Sequence, residues 1–206
     1  MKVLLINGSP HEHGCTYMAL SEVSSSLIKN GLETELVYLG TKPVGGCIAC
    51  GVCAKTGKCI IDDAVNDIAA RISEFDGLVV GSPVYYSSPS GQIYSFLDRL
   101  FYLCGDRMAG KAGAAVVSCR RGGASAAYDG LNKYFSISNM PIVSSNYWNQ
   151  VHGSTPEQVI KDEEGMQTMR QLGENMAWLL KSIEAGRNAG IKLPEYEKKI
   201  KTNFIR

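Results

Sequence analysis

The stretch "MKVLLINGSPHEHGCT", residues 1–16, decides how the rest of the chain is read. Positions 3–6 are Val, Leu, Leu and Ile, and Asn7 and Gly8 end the run. A short apolar run closed by turn residues reads as a strand buried on both faces, the kind found in parallel sheets. Gly8 permits a tight turn, Ser9 and Thr16 bring hydroxyls to it, and an amphipathic stretch begins at 15. The unpaired N–H groups and partial positive charge of a helix N-terminus there make a phosphate cradle on neutral donors, unless Cys15 or Thr16 merely caps the helix.

The pattern repeats outward from this unit. Apolar runs at 35–39, 77–81, 114–118 and 141–144 follow the strand at 3–7, with helical patterns at 15–30, 63–74, 90–104, 123–137 and 157–185. Ile93, Leu97, Leu100 and Cys104 recur at helical steps; Met166, Met169, Leu172, Met176, Leu179 and Ile183 form a stripe read as core packing. Five strands alternating with five helices predict an α/β fold: a doubly wound five-stranded parallel sheet in a three-layer α/β/α sandwich. Ligands in such sheets bind beyond the carboxyl ends of the strands. The expected organisation is one domain over 1–185, with a Cys-rich loop at 45–60, and a basic tail at 186–206.

Composition narrows the function. The 206 residues carry 21 Lys plus Arg against 20 Asp plus Glu, so no polyanion-binding face is indicated and nucleic acid is not an expected partner. No apolar run approaches the ~18 residues of a membrane span, and the first strand is shorter than the roughly 7 to 15 apolar residues of a secretory h-region. The expected location is the cytoplasm, where thiols stay reduced.

Three loops carry the chemistry. The first lacks Gly-x-Gly-x-x-Gly, and no acid ends the second strand ("VYLGTKP"), so the site suits one phosphate and hence a mononucleotide. The third strand ends in "GSPVYYSSPSG" (81–91), where Pro83 and Pro89 stiffen a loop offering Val84, Tyr85, Tyr86 and Ser87. The two tyrosines read equally as a stacking ledge and as ordinary surface aromatics. The fourth loop, "SCRRGGAS" (118–125), joins Cys119 to Arg120 or Arg121, which can counter negative charge, and to Gly122 and Gly123, which allow close backbone approach. His11, His13 and His152 are too dispersed to argue catalysis; the first two lie in the phosphate loop, solvated or touching phosphate.

The segment "GCIACGVCAKTGKC" (46–59) packs Cys47, Cys50, Cys53 and Cys59 into fourteen positions. Glycines allow the backbone to bend around a tetrahedral thiolate set. The bacterial [4Fe–4S] run shares the first two spacings but not the last, and has a Pro where this chain has Ile60. Structural zinc prefers separated pairs. An iron–sulfur cluster, free or redox-active thiols, and zinc all stand as readings.

"GSP…GCT", "SPVYYSSPSGQIYSFLDR" and "SCRRGGA" together resemble the flavodoxin-fold NADPH-dependent FMN reductases and related iron–sulfur flavoproteins, in matching order over about 1–180. "GCIACGVCAKTGKCIIDD" is similar to the cysteine motif of the iron–sulfur branch. The resemblance implies FMN at the strand ends, electron transfer through the flavin, and a homodimer or homotetramer. By position, Ser9 and Thr16 would hold phosphate. Pro83, Val84, Tyr85, Tyr86, Cys119, Arg120 and Gly123 would line the ring, with Cys15 and Cys119 as small residues of the flavin loops. His11 stands where the reductases often carry Arg. Expected function is an FMN-dependent oxidoreductase, NADPH reducing the flavin for a small-molecule electron acceptor such as a flavin or quinone. The alternatives are an electron relay fed by a ferredoxin-like protein through a [4Fe–4S] cluster, and a non-enzymatic metal-binding or regulatory module on the same fold.

Overall fold

The computed structural model describes residues 1–202 and 204; Asn203, Ile205 and Arg206, the end of the expected tail, lie outside the described residues. Five parallel strands, β1 (Lys2–Asn7), β2 (Glu33–Tyr38), β3 (Gly77–Tyr85), β5 (Ala112–Cys119) and β6 (Gln150–His152), stand in the order β2-β1-β3-β5-β6. The two-residue β4 (Ser88–Pro89) pairs antiparallel with the end of β3. Helices α1 (Cys15–Lys29), α2 (Val52–Thr56), α3 (Ala64–Arg71), α4 (Gly91–Cys104), α5 (Ala124–Ile137), α6 (Pro156–Ile160) and α7 (Glu163–Asn188) complete the sandwich.

Alternation along the strands divides the core in two, because successive side chains leave opposite faces. Leu4 and Ile6 of β1 meet α3, α4 and α5 through Ile68, Leu97 and Leu131. Val3 and Leu5 meet α1 and α7 through Leu20, Val23, Met169 and Leu172. The helical period is borne out in α4, where Ile93, Leu97, Leu100 and Cys104 are all buried. In α7 the Met-rich stripe packs the core as expected, but beyond Met176 it continues through Ala177 and Leu180, leaving Leu179 and Ile183 only partly covered. The 3.6-residue turn rotates them off the face.

The fifth strand needs correction. The run 141–144 makes one bridge, Ile142 opposite Gly113. After residues 144–149 the chain returns beside β5 as β6, pairing Gln150, Val151 and His152 with Val117, Ser118 and Cys119. The fifth strand is thus split, and its carboxyl end lies at His152. Among the described residues, no helix is long and apolar enough to cross a membrane.

Candidate functional site

The carboxyl ends of β1, β3, β5 and β6 bring four segments together. Gly8 donates its N–H to the Gly81 carbonyl at 2.9 Å, and the Ser90 hydroxyl donates to the Gly8 carbonyl at 2.8 Å, joining the first loop to the β3–β4 hairpin. Thr16 and Ser118 pair their buried hydroxyls at 2.8 Å, joining α1 to β5. Gly153 donates its N–H to the Cys119 carbonyl at 3.0 Å, and the Cys15 thiol reaches the Gly153 carbonyl at 3.7 Å.

Within the first loop, Asn7 acts as an internal template: its side-chain oxygen accepts from the Ser9 N–H and its amide donates to the Glu12 carbonyl. Ser9 is buried and its hydroxyl accepts from the His11 N–H at 3.1 Å; the His11 side chain is exposed. The two hydroxyls singled out in sequence are therefore engaged within the protein. The N-terminus of α1 is different. Gly14 caps it without a side-chain hydrogen bond and its first turn holds no acid. Its leading N–H groups have no intrahelical partner, which fits a phosphate.

The hairpin turns on Tyr86 (φ 51°) and Ser87 (φ 63°), two consecutive non-glycine residues in the left-handed region. These are the φ signs of a type I′ hairpin turn, which favours Asn-Gly and strains larger residues. Tyr86 is fully exposed, Tyr85 half so, and Pro83 and Val84 are partly buried beneath them. Gly123 supports the turn. At φ 89° it lies so close that a Cβ there would stand 2.8 Å from Ser87 Cα. Its closest approach is therefore to the hairpin. Arg120 and Arg121 are exposed at the same rim. Burial pushes the Cys119 and Cys15 thiols above their ordinary range, which keeps both protonated and fits small lining residues rather than nucleophiles.

His152, set aside in the sequence as too dispersed to argue catalysis, stands at this edge. Its Nδ1 lies 3.4 Å from the Cys119 sulfur. With the fifth strand assigned to 141–144, nothing pointed to a loop there.

The cysteine loop follows β2. Cys47, Cys50, Cys53 and Cys59 all line one small concavity, with Arg99 and Tyr102 of α4 on its far wall. Cys53 lies in α2; positive φ at Ala49, Gly51 and Gly57 turns the chain around it. Among the described residues, no three His, Cys, Asp or Glu converge as on a single ion. Thiols are the ligands an iron–sulfur cluster takes, and four of them line this hollow. Asn66 clamps the backbone of Cys59, accepting from its N–H at 2.8 Å and donating to its carbonyl at 3.0 Å.

Arg99 is buried in the same wall. It donates to both Asp63 carboxylate oxygens at 2.6 and 2.9 Å, to the Ile61 and Gly45 carbonyls, and through Nε to the Cys59 sulfur at 3.3 Å. Burial alone would lower its pKa; the hydrogen bonds to Asp63 and Cys59 outweigh that and raise it. Asn66, Asp63 and Arg99 had no role in the sequence reading, although Arg99 ends the quoted "SFLDR".

Residues 1–155 match the model of the NADPH-dependent FMN reductase family. Over 89% of its length the chain is 34% identical to the whole of an iron–sulfur flavoprotein from Methanocaldococcus jannaschii. Over 91% it is 28% identical to the whole of an iron–sulfur flavoprotein from Methanosarcina thermophila. In fold it is similar to a flavodoxin from the domain Archaea, with a TM-score of 0.60 at 15% identity, covering 88% of this chain and 99% of that one. The α1 terminus without a side-chain cap and the aromatic hairpin lie together at this sheet edge. The chain belongs to the NADPH-dependent FMN reductase family, and is a flavodoxin-fold, FMN-dependent oxidoreductase.

Proposed function

We propose that the chain takes electrons from NADPH at FMN held by the strand-end loops and passes them through a [4Fe–4S] cluster on Cys47, Cys50, Cys53 and Cys59. The observation that carries this reading is the pairing of two sites: an uncapped helix N-terminus beside a strained hairpin, and four cysteines around one hollow on the neighbouring loop. The iron–sulfur flavoprotein names of near full-length relatives support the second half.

The main-chain N–H groups at the start of α1 would bind the phosphate, with His11 and Ser9 beside it; Thr16 and Ser118 brace the helix from beneath. Tyr85, Tyr86 and Ser87 would flank the ring from the hairpin, and Cys119, Arg120 and Gly123 from the β5 loop. Bound FMN supplies hydride acceptance and release of electrons singly or in pairs, and a cluster supplies single-electron passage. The protein's share is to orient the ring, leave one face open to a stacked nicotinamide, and offer the positive rim of Arg120 and Arg121 to negative charge. The acceptor is a small molecule; in the relay alternative a ferredoxin-like protein is the donor. Exposed Ile48, Ile60 and Tyr102 around the cysteine hollow favour protein contact there, including a homodimer or homotetramer.

Anaerobic stopped-flow mixing tests the donor. NADPH should bleach the flavin band in a single rapid phase. Protein that stays yellow with both NADPH and NADH, yet bleaches with reduced ferredoxin, would replace this reading with the relay.

A further inference from the structure

Arg99 lies on the helix that touches both proposed sites. Its helix, α4, starts at Ser90, whose side chain accepts from the Ile93 N–H and donates to the Gly8 carbonyl of the first loop. Nine residues on, the same helix inserts a buried guanidinium into the wall of the cysteine hollow. A buried cation needs partners, and this one has five hydrogen-bond acceptors: two carboxylate oxygens, two carbonyls and one sulfur. Asp63 neutralises it and also caps α3, accepting from the Val65 N–H at 3.0 Å. Of the four loop cysteines, Cys59 is the one whose sulfur receives a hydrogen bond from a cationic side chain.

Hydrogen bonds and net charge at the ligand sulfurs are among the levers that set an iron–sulfur potential. Each electron added to a cluster increases its negative charge, so a cation beside a ligand sulfur favours the reduced state. Asp63, bound by the two terminal nitrogens of the same guanidinium, damps that effect. We propose that Arg99 is a positioning residue that holds Cys59 and raises the reduction potential of the cluster, with Asp63 setting how much of its charge the cluster feels. This rests on the cluster reading above. It also makes α4 a rigid link whose two ends serve the two centres.

The test is a redox titration of anaerobically reconstituted holoprotein, following the cluster by electron paramagnetic resonance and the flavin by absorbance. Arg99→Gln should lower the cluster's reduction equilibrium constant about tenfold, ~59 mV for one electron. Arg99→Lys, which keeps the charge and loses the fork, should fall between. Asp63→Asn keeps the α3 cap, since Asn caps as well as Asp, and should shift the potential upward. The flavin potential should stay in place in all three. Opposite signs for Arg99→Gln and Asp63→Asn are the signature that a packing role would not produce. Should Arg99→Gln fail to hold a cluster, the Arg99→Lys and Asp63→Asn proteins carry the comparison. Wild-type protein with a cluster whose potential ignores all these changes, or moves the same way in all, overturns the Arg99 proposal alone. Wild-type protein that takes no cluster overturns the cluster reading and this proposal with it.

Discussion

Thr16 shows how a residue can matter to a site through the protein group it braces. Its hydroxyl is buried against Ser118 at 2.8 Å, so it fastens the N-terminal end of α1 to β5. Thr16→Val keeps the shape and leaves the Ser118 hydroxyl unsatisfied, so stability should fall by about 1–3 kcal/mol. Urea unfolding at pH 7 reads this directly, and FMN retention on gel filtration should drop with it. Glu35 works at the other end of the sheet, where Arg71 and Lys2 hold it at 2.8 and 2.7 Å. The hydrogen bonds from Arg71, then those from Lys2, hold its carboxyl down at about 2. A carboxylate depressed on folding contributes stability above its unfolded value, about 4.3, and loses it as pH falls toward 2. Glu35→Gln should therefore cost on the order of 1 kcal/mol at pH 7. Thermal melts should converge with wild type below about pH 2.

At the scale of elements, the β3–β4 hairpin stores strain at Tyr86 and Ser87, and Gly123 at the start of α5 gives it somewhere to rest. Gly123→Ala would place a Cβ 2.7 Å from Ser87 Oγ, in a backbone region costing a side chain about 1–3 kcal/mol. The expected result is lower stability of that order and weaker FMN binding, read by calorimetry on apo- and flavin-loaded protein. Much of this architecture was legible in the residues. The apolar runs of β1, β3 and β5 and the 3.6-residue period of α4 are long enough to carry a signal, and the first, third and fourth loops follow from them. The fifth strand was not. β6 is three residues with one fully buried side chain, Val151, too short for any period, while "PIVSS" imitates a strand. Without β6, His152 had no place at the sheet edge and read as dispersed. Arg99 was invisible for another reason: a charged residue on a helix reads as solvated, and its burial makes sense only beside Asp63, 36 positions away.

At the scale of the whole molecule, the sheet holds both proposed centres at one edge: flavin loops after β1, β3 and β5, the cysteine loop after β2. α4 runs from the hairpin to the cysteine hollow, and Arg99 and Asn66 hold Cys59 by its sulfur and its backbone. That arrangement predicts a protein whose flavin and metal contents rise together under anaerobic conditions and part company in air, since thiolate-held clusters oxidise while a phosphate site does not. The most direct measurement is the ratio of iron, acid-labile sulfide and FMN in protein purified and reconstituted without oxygen. The account predicts one [4Fe–4S] cluster for each flavin. Yellow, FMN-loaded protein with no acid-labile sulfide would contradict it.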